Sequence, residues 1–176
     1  AKKKTKTWNG LGKKLQGNIE ELGSNVHVYG TYNQGEKYTK TTEAIAECVG
    51  HKHGRAMRQL VNNKKEIEPE EPKEPTGMKI PVTAMRKHEK EFSMYLTKMD
   101  QCKENKSKVF VVIKGQCGLT MKNRIEAMKG HKKIEEEDDV IELLRHLKEL
   151  SFAMADAKHE HWMMNESLRK VMTARQ

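Results

Sequence analysis

After residue 36 the apolar positions recur with a helical period, and the polar stretches between them mark where elements begin and end. In EKYTKTTEAIAECVG, Tyr38, Thr41, Ile45 and Val49 stand three and four apart, which predicts a helix that stops at Gly50. A second short helix is predicted behind it, with Met57, Leu60 and Val61 on one side. Further on, Met85, Phe92, Leu96, Met99, Cys102, Val109 and Ile113 fall on one stripe of a long helix, with Lys106 as its polar break. DDVIELLRHLKELSFAMA sets Val140, Leu143, Leu144, Leu147, Leu150 and Met154 on one face, and Asp139 followed by Glu142 has the form of a capping box. This is the strongest helical pattern in the chain, and burying its stripe contributes about 2 kcal/mol per leucine. A last helix is predicted over residues 161–174, with Trp162, Asn165, Leu168, Arg169 and Met172 in its pattern. Residues 8–35 hold six glycines and scattered apolar positions, and there short strands and irregular structure are both open.

The stretch VFVVIKGQCGLTMKNRIEAM, residues 109–128, reads either as a strand entering a glycine loop or as two helices joined by a turn. A phosphate-binding loop needs G-x-x-x-x-G-K-[ST], whereas Gly115 and Gly118 enclose only Gln116 and Cys117. No G-x-G-x-x-G is present, and no alternating strand–helix series supplies a parallel sheet. The VFVVI run continues the period begun at Met85, so Gly115, Gln116, Cys117 and Gly118 are predicted to be the turn at a helix junction.

Between these helical regions, KKEIEPEEPKEP (residues 64–75) carries three of the four prolines and five acidic groups. Each X-Pro disfavours helix before it, and the segment has little apolar surface to bury. An extended, mobile linker is expected over residues 63–83. The organisation is then a basic, glycine-rich segment at 1–35, short helices at 36–62, the linker, and a helical domain at 84–176. The expected fold class is all-α, a helical bundle after the linker with a partly irregular N-terminal part.

Charge narrows the partners. The net charge of +9 and pI near 9.4 favour polyanions. The excess is uneven: +6 in residues 1–63, −2 in 64–75, +9 in 76–134 and −4 in 135–176. Lys2, Lys3, Lys4, Lys6, Lys13 and Lys14 all precede the first acid, with Trp8 among them, a composition suited to phosphate contacts and stacking on a base. Three cysteines at wide spacing give no disulfide framework, so a reducing, cytoplasmic setting is expected. The longest apolar run, VFVVI, is five residues, far short of a membrane span. AKKKTKTWNG has no apolar region behind it and is not a secretory signal; without an initiator Met, a processed product or an excerpt from something longer is expected.

The remaining candidates for chemistry are weaker than their structural readings. Cys48, His51 and His53 are potential zinc ligands within six residues, but no second cluster follows at finger spacing. His159-Glu160-His161 is not H-E-x-x-H. Cys102 reads as core, while Cys117, in a turn, is open to exposure and to a nucleophilic role that no His or Asp can be assigned to support. The acidic run 135–139 reads as a solvated helix start favoured by the dipole. The eleven methionines read as core and adaptable contact surface. No enzyme activity, cofactor or metal site is expected.

WNGLGKKLQGNIEELGS, KYTKTTEAIAECVG, the Pro/Glu linker, KVFVVIKGQCGLTMKNRIEAM and DDVIELLRHLKEL, in that order, resemble the Gag-type capsid proteins of Copia-type LTR retrotransposons. The resemblance covers nearly the whole chain, and LRKVMTARQ is similar to the segment leading into the family's second capsid lobe. It implies a mostly helical protein that self-associates into shells and packages RNA, with the Gly115–Cys117 turn as a structural junction. The C-x2-C-x4-H-x4-C knuckle that often follows in the family has no match here, so weak, sequence-tolerant RNA binding would rest on lysines. The rival reading is a helical adaptor, outside retroelements, whose basic faces bind acidic proteins or membrane surfaces; a third is a small enzyme using Cys117.

Overall fold

The computed structural model describes residues 17, 19–30, 33–76 and 81–153. The described part is helical: α1 is Gln34–His53, α2 Arg55–Asn63, α3 Val82–Gly115, α4 Leu119–Glu126 and α5 His131–Glu136. A sixth helix, α6, covers residues 140–153, and a single 3-10 turn, Glu20–Leu22, precedes α1. No strand is present among the described residues, so residues 19–30 take the irregular course left open by their glycines. The helix predicted over residues 161–174, the neighbouring His159 and His161, and Met154 lie outside the described residues.

The predicted faces of α1, α2 and α6 are buried, and that of α3 only toward its C-terminal end. Tyr38, Thr41, Ile45 and Val49 of α1 are buried together with Met57, Leu60 and Val61 of α2. From the other side of the linker come Val109, Phe110 and Ile113 of α3, Met121 and Ile125 of α4, and Val140, Leu143, Leu144 and Leu147 of α6. All of these except Thr41 belong to one core cluster, with Leu150 partly buried against it. Thus the segments on either side of the linker fill one hydrophobic interior. The Tyr38 hydroxyl donates to the Leu144 carbonyl (3.3 Å) and the Gln34 amide to the Leu150 carbonyl (3.1 Å), which fixes α6 against α1.

Three local expectations are corrected. The α1 helix does not stop at Gly50; it runs to His53, and Gly54, with φ of +88°, ends it. Gly50 serves packing instead, because a Cβ there would stand 3.0 Å from Arg58 Cβ of α2. The capping box is half formed. Asp139 Oδ1 accepts from the Ile141 and Glu142 amides at 3.1 Å each, but the Glu142 carboxylate pairs with Arg145 and not with the Asp139 amide. Finally, only Asp139 of the acidic run begins a helix: Glu135 and Glu136 lie in the last turn of α5, and Asp138 makes the turn at φ of +49°.

The geometry of α3 sets up the surface. Its 34 residues make a rod of about 51 Å, against about 30 Å for the 20-residue α1. A helix that much longer than its neighbours overhangs them, and burial is confined to its C-terminal third. Residues 64–76 run back along the overhang without regular structure, held where Lys106 Nζ meets Glu66 at 2.9 Å. Their reach explains the match: an extended segment of this length spans about 37 Å and α3 from 82 to 106 about 36 Å. The prolines keep the strap extended, and so its length returns the chain to the start of α3.

Candidate interaction surfaces

Two regions could carry function: the Gly-Gln-Cys-Gly junction and the overhanging half of α3. At the junction, α3 ends at Gly115 and α4 begins at Leu119, as the helix–turn–helix reading requires. The turn is also a docking point for the N-terminal segment. The His27 amide donates to the Gln116 carbonyl (2.8 Å) and the Gly118 amide to the His27 carbonyl (2.9 Å), forming one parallel bridge. Gln116 is wholly buried, and Gly17 packs on it so tightly that a Cβ at 17 would overlap the Gln116 amide.

Cys117 departs from the expectation of exposure. It is buried, its thiol donates to the Ile113 carbonyl at 3.3 Å, and burial pushes the thiol up to about 12. A thiol so held has almost no thiolate at neutral pH and no access to substrate, so a nucleophilic role there loses its chemical basis. Cys102, expected in the core, lies half-buried at its edge near the strap. Cys48 is tied elsewhere: its thiol lies 3.4 Å from Glu21, which also meets Lys52 at 2.8 Å. Lys52 beside it, then the Cys48 thiol, hold Glu21 below the usual carboxylate range. This group joins the 3-10 turn to α1. Among the described residues no three His, Cys, Asp or Glu side chains converge in the manner of a metal site.

Three buried histidines were not singled out by the sequence. His27 stacks at a tilt near Tyr38, with ring centroids 5.4 Å apart, and burial lowers it to about 4. His131 and His146 approach Glu135 (3.4 Å) and Glu142 (3.7 Å), each one turn along its own helix. Glu135 also receives Lys114, which joins the end of α3 to α5. His27 stands alone between Val26 and Val28 in a stretch without a helical period, and so it was not legible.

The overhang is the other region. Val82, Met85, Phe92 and Leu96 are 65%, 51%, 36% and 48% exposed, although they continue the stripe that Val109 and Ile113 bury completely. The sequence pattern joined Met85, Phe92 and Leu96 to Val109 and Ile113 in one helix, but it left Val82 in the linker and could not reveal that the interior ends near Cys102. On another side of the overhang, Pro69, Glu70 and Pro72 of the strap face Met94, Tyr95 and Lys98. Apolar residues exposed in sequence along one helix face mark a place where something binds more often than they mark chance. Basic groups are spread over the surface: Lys103 and Lys108 of α3 are exposed, and beyond the junction Arg124 lies over the Tyr29 ring at 4.5 Å and Lys129 is exposed. The predicted nucleic-acid contacts Lys2, Lys3, Lys4, Lys6, Trp8, Lys13 and Lys14 lie outside the described residues.

No described helix is long and apolar enough to cross a membrane. Fold and surface define an all-α bundle with a projecting amphipathic arm. Comparison with protein-family models, with curated proteins and with solved structures gives no match to this chain.

Proposed function

We propose that the protein is a non-catalytic, Gag-like structural component that self-associates in the cytoplasm and binds RNA without sequence preference. The observation that carries this reading is the uncovered apolar face of the α3 overhang on a bundle whose interior is otherwise filled. An enzyme places its polar chemistry in a concave site; here Cys117 and His27 are packed away. The order of sequence phrases that resembles Copia-type Gag proteins supports the same reading, and the +9 excess supplies a sequence-independent attraction for phosphate.

The test is RNA binding across salt. If the six lysines of residues 2–14 all meet phosphates, deleting residues 1–14 should change the log–log salt slope on single strands by roughly 4. Affinity should vary little among sequences of equal length. An unchanged slope would move the contact to the basic residues of 76–134, while no binding at low salt, together with tight binding to an acidic protein, would favour an adaptor.

A further inference from the structure

The exposed positions of α3 form a regular seam. Val82, Met85, Glu89, Phe92, Leu96 and Met99 are spaced three, four, three, four and three apart, the alternation of a two-stranded coiled coil. Four of the six are exposed large apolar side chains, Met99 is half-buried and Glu89 is exposed. Beyond Met99 the seam ends, because Lys103 and Lys106 take the next positions. The strap lies mainly against Met94, Tyr95 and Lys98, and reaches the seam at its last position, where Met99 shares a hollow with Glu66 and Glu68.

We propose that this seam pairs with the same seam of a second copy, antiparallel, about a two-fold axis between Glu89 and Phe92. This rests on the assembly reading above and names its contact. Charge selects the direction. In a parallel pair the two Glu89 carboxylates would share a layer, like charge against like charge. In the antiparallel pair each Glu89 faces Phe92 of the second copy, and the two carboxylates lie in different layers. The remaining layers match Val82 with Met99 and Met85 with Leu96. Flanking the seam, Arg86 meets Asp100 of the second copy, and by symmetry this pair forms twice. Side chains lean toward the N-terminus of their own helix, so in opposed helices these two lean toward each other. With six layers over about 26 Å, the contact is smaller than a standard protein interface, so the pairing is weak and concentration-dependent.

The whole chain is used for the test. Sedimentation should show a monomer–dimer equilibrium, and Phe92→Asp with Leu96→Asp should abolish it while leaving the far-ultraviolet dichroism unchanged, since both residues are exposed in the single chain. Arg86→Glu and Asp100→Arg should each weaken pairing by roughly tenfold, and the two together should restore it. Mixing Met85→Cys chains with Leu96→Cys chains should yield a disulfide between those two positions, with little from either variant alone. A disulfide from Leu96→Cys chains alone, or failure of the charge reversal to recover pairing, would overturn the antiparallel seam. Large oligomers that persist after Phe92→Asp with Leu96→Asp would remove the seam and keep the assembly reading. A seam-dependent dimer that neither grows nor binds RNA would keep the seam and remove that reading. A strict monomer at high concentration, with and without RNA, would remove both.

Discussion

His27 and Gln116 are polar residues placed where apolar ones would be expected, and their cost is informative. Both are buried, and neither His27 ring nitrogen nor either Gln116 amide atom meets a hydrogen-bond partner among the described residues. Their backbones hold the bridge that pins the N-terminal segment onto the junction, so the position is set by main-chain bonds while the side chains are carried inside. For His27 this has a consequence with a definite sign. Burial lowers its folded-state value from 6.5 to about 4, so between those values the unfolded chain binds the extra proton. Stability contributed by the neutral ring is therefore full above about 6.5 and is lost on acidification toward about 4. The loss reaches about 3 kcal/mol, and burial of His131 adds a change of the same sign. Urea midpoints at pH 7 and pH 5 should fall together with pH in the native chain, and His27→Gln should flatten that fall. An equal fall in the variant would mean that other groups govern acid sensitivity.

At the scale of elements, the same stripe logic succeeds on α6 and divides on α3. Leu143, Leu144 and Leu147 are essentially without exposure, and Asp139 caps the helix that carries them. Leu147→Ala is expected to cost about 2–5 kcal/mol, as for a well-packed leucine with no room to collapse. Leu96→Ala, on the exposed part of α3, should change the stability of the single chain by less than about 0.5 kcal/mol. Chemical denaturation at low protein concentration separates the two, and similar losses would mean the overhang is covered. Periodicity made α1, α2, α3, α4 and α6 legible because a helix repeats its apolar positions whether they are buried by the bundle or left for a partner. It could not give the extent of burial along α3, which depends on how long the neighbouring helices are. It also misplaced the stop of α1, since Gly50 and Gly54 look alike in sequence and only φ distinguishes them. Short α5, with six residues, has too few apolar positions to show a period. The junction turn was legible because its glycines interrupt two strong patterns; its role as the anchor of residues 17–30 was not, because that contact is remote in sequence.

For the whole molecule the decisive feature is that one interior draws on both sides of the Pro/Glu strap. Reading composition along the chain suggests a boundary at the linker and a helical domain at 84–176. The core instead joins Ile45, Val49, Leu60 and Val61 to Val109, Ile113, Leu143 and Leu144. Removing residues 1–83 would expose the α6 stripe and the end of α3 together, and would remove the Tyr38 and Gln34 bonds to the α6 carbonyls. Each large apolar side chain returned to water forfeits about 1.5–3 kcal/mol, so exposing several exceeds the roughly 5–15 kcal/mol by which an ordinary domain is stable. Residues 84–176 produced alone should therefore retain helical dichroism without a cooperative thermal transition, whereas the whole chain should unfold in one step. Adding residues 1–83 as a separate chain should restore the transition, because the strap makes one connection while the core makes many contacts. A sharp, reversible melt of 84–176 by itself would show that the C-terminal helices hold their own core, and that the earlier helices are packed upon it.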